Sequence, residues 1–90
     1  MNERDVIAFL DWLTADGNEM QYAIVNPQMI PGEKPDFYRN NQRVTVDDMN
    51  RWANNWLEDT RRESTGPTRA WLIREALQKV MDDHKYPHTH

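Results

Sequence analysis

The sequence predicts a mainly α fold: a small three-helix domain with an irregular, proline-containing middle segment that has room for a short strand or hairpin. Three observations carry this. Apolar residues recur at helical spacing in three separate stretches. Pro27, Pro31 and Pro35 cluster between the first and second of them. The pair Gly66-Pro67 divides the second from the third. A chain of 90 residues suits one domain, taken as residues 1–90.

The first helix is expected at about residues 3–15, where Val6, Phe9, Leu10 and Leu13 share a face. Asn2 can cap it, with Asp5 three residues on, and Gly17 suits the position past its end. Residues 18–43 read as irregular or extended. Met20, Tyr22 and Ile24 alternate with Gln21 and Ala23, as in a short strand, before prolines and Gly32 punctuate the chain.

The second helix is expected at about 46–63, with Met49, Trp52, Ala53, Trp56, Leu57 and Thr60 on one face. Thr45 and Asp48 form a T-x-x-D pattern that can start it. The third is expected at about 67–84, with Ile73, Ala76, Leu77, Val80, Met81 and His84 facing inward. Pro67 can open that helix but cannot continue the previous one, and Tyr86-Pro87 closes it. The tail 86–90 is expected to fray.

Composition narrows function mostly by exclusion. Mean hydropathy is −1.00, and no apolar run reaches membrane-span length. The opening "MNERDVIAF" lacks the basic cluster of a signal peptide. There is no cysteine, which excludes disulfides and thiolate metal sites and fits a reducing, cytoplasmic setting. Net charge is −4 but uneven. Residues 1–38 hold seven acids against Arg4 and Lys34, whereas residues 39–74 hold seven arginines against five acids. That local basic balance permits an anionic partner.

Catalysis finds little support, and no cofactor is expected. Neither G-x-S-x-G, H-E-x-x-H nor a phosphate-binding glycine loop occurs, and the three glycines are scattered. His84, His88 and His90 all fall in the last seven residues, a poor place for a preorganised base. His84 and His88 can share a metal only if a helix runs past Pro87, so no metal site is assigned. The neighbouring carboxylates Asp47/Asp48 and Asp82/Asp83 diverge on a helix.

Two binding readings remain. The segment "QRVTV", the helix "DDMNRWANNWLEDTRRE", and the turn and helix "TGPTRAWLIREAL" together resemble the ribbon–helix–helix DNA-binding regulators over residues 41–84. The resemblance implies a homodimer whose paired strands enter the major groove. In that reading Val44 and Val46 face the core, and Asn41, Arg43 and Thr45 face outward. Arg43 then suits guanine and Asn41 adenine. Thr68, at the start of the last helix, can help hold a phosphate, with Arg69 adding charge. If Thr45 instead caps a helix, Val46 is already helical and the ribbon shrinks.

The favoured reading is a protein-binding one. Trp71 falls among Arg74, Glu75, Gln78 and Lys79 on the polar stripe of the third helix. An indole amid charge has the composition of a binding hot spot, with Arg69, Arg74 and Lys79 as its rim. The bland alternative is that the middle segment folds over Trp71. For Trp52 and Trp56 the core is the favoured place, and for Arg61, Arg62 and Arg69 it is solvent. In brevity, absent cysteine and aromatic-rich helices, the chain is similar in style to small accessory proteins of phages and prophages. That style implies a non-catalytic regulatory factor that engages a host protein.

Overall fold

Asn2 accepts the Arg4 and Asp5 amides through its side chain, and Asp5 accepts the Asn2 amide in return. This reciprocal cap starts α1, Glu3–Leu13. The computed structural model describes residues 2–23 and 35–85. The expected frayed tail, and with it His88 and His90, lies outside them. α1 stops two residues short of the expected end, and Ala15–Gly17 tightens into a 3-10 turn. Gly17 sits at φ +80, a conformation that suits a residue without Cβ.

Where it is described, the middle segment is regular. β1 (Met20–Ala23), β2 (Asp36–Arg39) and β3 (Gln42–Arg43) form an antiparallel sheet in the order β1-β2-β3. The expected strand is β1, and Ile24 lies outside the described residues. Asn40 and Asn41 both take positive φ, at 55 and 66, and turn the chain in two residues between β2 and β3. Asparagine tolerates that region, so a two-residue hairpin forms without glycine.

Thr45 caps α2, Val46–Asp59: its hydroxyl accepts the Asp48 amide at 3.1 Å, and Asp48 accepts the Thr45 amide at 3.1 Å. α2 ends four residues before the expected boundary. The Arg62 amide returns to the Leu57 carbonyl at 2.7 Å, and the Arg61 amide to Glu58 at 3.0 Å. Arg61 takes φ 56, so an arginine fills the left-handed stop usually given to glycine. α3 runs Gly66–Lys85, and the Thr65 hydroxyl accepts the Thr68 amide in its first turn.

One core draws on all three helices and β1. Phe9, Leu13, Leu57 and Leu72 are its largest fully buried side chains. Phe9 meets Trp56 with ring centroids 5.4 Å apart. Trp56 is buried as expected, whereas Trp52 is half-buried at the edge. α3 differs from expectation in rotation. Ala76 and Val80 are buried as expected, but Leu72 completes the stripe, and Ile73, Leu77 and Met81 are only half-buried. One residue of helix is about 100° of turn, so the whole Ile73 row moves to the flank of the contact.

Candidate functional site

Two recesses lie on opposite flanks of the buried stripe of α3; Trp71 and Lys79 line one, Arg43, Thr45 and Arg74 line the other, and Arg69, Asn41 and Thr68 line neither. The first recess, of about 340 Å³, lies between α1 and α3 and contains Trp71. The indole is half-buried and packs against the core. It therefore does not stand bare in water. The described residues that share its recess across the helix gap are Glu3 and Val6 of α1. The alternative expectation, a cover by the middle segment, falls largely on residues 24–34, which lie outside the described residues.

Lys79 crosses this recess, with Nζ 3.0 Å from a Glu3 carboxylate oxygen. That contact holds the ammonium above its usual pKa, with Glu3 the largest cause. Lys79 is thus engaged in holding α1. Arg69 is engaged too: its guanidinium donates to the Ser64 carbonyl and hydroxyl, both at 3.0 Å. Ser64 donates onward to Asn54 at 2.7 Å, so the three residues fasten the α2–α3 turn. Arg74 alone of the expected rim is exposed without an ion pair among the described residues.

Arg74 lies instead on the second recess, a groove of about 830 Å³. One wall is the row Ile73, Leu77 and Met81 of α3. The other is Val44, Val46 and Met49, at the entry to α2, with Phe37 of β2 also lining it. Val46 is 76% exposed, the most exposed large apolar side chain among the described residues. A helix that begins at Thr45 turns Val46 outward; in a strand continuing β3 it would have faced the core. Apolar side chains form most of the groove's walls, with Asp36, Arg43, Thr45, Arg74 and Gln78 also on its lining; apolar recesses of this kind mark contact sites.

The candidate nucleic-acid contacts are dispersed. Asn41 is in the hairpin turn rather than a strand, and Thr45 is committed to its cap. Arg43 is in β3, 68% exposed, with one contact to Asp36 at 3.2 Å. Thr68 accepts a hydrogen bond from the Thr65 hydroxyl at 2.8 Å in the first turn of α3. The expected ribbon "QRVTV" is reduced to Gln42–Arg43, and its described partner is β2 of the same chain.

The Ile73 row and Val46 were hidden in the sequence because each also suits a core position. Two carboxylates are held low by local donors. The Asn2 amide, aided by Arg62, depresses Asp5, and the Thr45 cap, aided by Arg51, depresses Asp48. These shifts stabilise helix starts, and neither carboxylate lines a recess. Among the described residues no helix is long and apolar enough to cross a membrane. No protein-family model, no curated protein and no solved structure matches this chain.

Proposed function

We propose that this protein is a small, non-catalytic, cytoplasmic accessory or regulatory factor that binds another protein through the groove between α3 and the β3–α2 junction. The observation that carries this is Val46, left 76% exposed in a groove whose other wall is the row Ile73, Leu77 and Met81. Burying such a surface is favourable by roughly 25 cal/mol per Å² of apolar area, so a complementary partner gains by covering it. Trp71, the expected anchor, is half-buried against the core, and Arg74 is the member of the expected rim that is exposed without an ion pair among the described residues.

A photo-crosslinking side chain at position 46 tests this in the cells that express the protein. The expected result is one defined protein adduct from position 46 and none from exposed Asn55, which does not line the groove. Met81→Glu should abolish the adduct by placing charge in the opposite wall. Equal adducts from both positions, or indifference to Met81→Glu, defeat the reading.

The second reading is a dimeric DNA-binding regulator, favoured by the exposure of Arg43 on an edge strand. It requires a homodimer and an affinity that falls steeply with salt. Sedimentation at micromolar concentration and Arg43→Ala test it together.

A further inference from the structure

We infer that the occupant of the groove is an amphipathic α-helix whose apolar face is edged by carboxylates; this deepens the docking proposal above and rests on it. The wall supplied by α3 is itself a helical ridge. Ile73, Leu77 and Met81 follow one another at intervals of four, so the ridge is about 12 Å long, the length of two helical turns. Ridges of that spacing accept the side chains of a second helix between them. Met81, half-buried on the α3 wall, is flexible enough to fit a partner's apolar residues.

A strand is the poorer guest. β3 is an edge strand but only two residues long. Past its end, the Val44 amide faces inward, to the Phe37 carbonyl at 2.8 Å, and the Thr45 amide is spent on Asp48. Too few outward amides remain to template an added strand.

Charge selects among helices. Arg74 and Arg43 stand on the groove's lining from α3 and β3, and Arg74 has no ion pair among the described residues. The lining carboxylate is Asp36, whose side chain is only 21% exposed and already faces Arg43. The groove is therefore edged by cations on a protein of net charge −4. A guest with acids flanking its apolar stripe meets guanidiniums at the edge and gains specificity from them.

The test uses the full chain with labelled methyl groups and two synthetic peptides of about twelve residues, enough for three helical turns. Both carry leucines at helical spacing; one is flanked by glutamates, the other by lysines. The glutamate peptide should shift the methyls of Val46, Ile73, Leu77 and Met81 saturably, and should bind about tenfold more tightly than the lysine peptide. Buried Leu72 serves as the control methyl. Arg74→Glu should reverse the preference, and Val46→Glu should weaken the glutamate peptide.

Equal or reversed affinities at the same methyls overturn the acidic-helix inference and leave the docking proposal standing. Absence of saturable shifts with either peptide overturns the inference, and the crosslink at position 46 then judges docking separately. Contacts between the groove methyls and residues 24–34 in the free protein overturn both. Shifts produced instead by a DNA duplex, and lost with salt, favour the regulator reading over this one.

Discussion

The Arg39 guanidinium lies 4.9 Å from the centre of the Trp52 ring. From the same position its Nε donates to the Leu13 carbonyl at 2.9 Å. One side chain thus joins β2 to the last turn of α1 and to the flank of α2. A cation at a helix C-terminus and a cation over an indole are each favourable. Arg39→Ala is expected to lower stability by about 1–3 kcal/mol. Arg39→Lys should recover only part, because an ammonium lacks the planar fork. Urea unfolding of the three proteins measures the difference.

The rotation of α3 gives a paired prediction. Leu72→Ala removes a fully buried side chain and should cost about 2–5 kcal/mol. Ile73→Ala, one residue on, removes a half-buried one and should cost roughly 1 kcal/mol. Equal losses would contradict the stripe Leu72/Ala76/Val80 as the buried one. Chemical denaturation under identical conditions is the measurement.

Arg61 occupies a left-handed backbone position at the end of α2. Such a conformation costs a side-chain-bearing residue about 1–2 kcal/mol, whereas glycine adopts it freely but loses more entropy on folding. Arg61→Gly should therefore raise stability by about 0.5–1 kcal/mol. A lower midpoint in thermal unfolding would show that the Arg61 side chain contributes more than its backbone costs.

Asp5 and Asp48 set the response to acid. The Asn2 amide and then Arg62 depress Asp5 in the folded chain; the Thr45 cap and then Arg51 depress Asp48. A depressed carboxylate stabilises the fold above its unfolded pKa, and that stability is lost as pH falls through the folded value. Stability should hold between neutral pH and about pH 5, then decline below about pH 4. Thr45→Ala should lose about 1 kcal/mol at neutral pH by removing a cap. Asp48→Asn should flatten the acid limb. Circular dichroism melts across the pH series test both.

The three helices were legible because each combined a strong apolar period with a cap or a breaker. Asn2/Asp5 and Thr45/Asp48 are local signals, and local signals survive without knowledge of the fold. The ends were harder. α2 stops at Asp59 because Arg61 adopts a conformation that its identity does not advertise. The hairpin was obscured by Asn40-Asn41, which lacks the glycine usually found there. The buried face of α3 was ambiguous for a different reason. Leu72/Ala76/Val80 and Ile73/Leu77/Met81 are adjacent apolar rows, and only contact with α1, α2 and β1 decides which row goes inside. That ambiguity moved the candidate site from Trp71 to the opposite flank. Whether Lys79 and Arg69 were available was equally invisible, since Glu3 and Ser64 become their partners only through tertiary packing.

Only Val44 and Thr45 separate β3 from α2, and both are pinned: one to Phe37, the other to Asp48. The hairpin and the first turn of α2 consequently form a single stiff piece. Across from it, α3 is tethered by the bonds joining Arg69, Ser64 and Asn54. The walls are thus braced at these points, and adjustment to a guest falls to the side chains: a bulky residue is met by the swing of Met81 rather than by the parting of the walls.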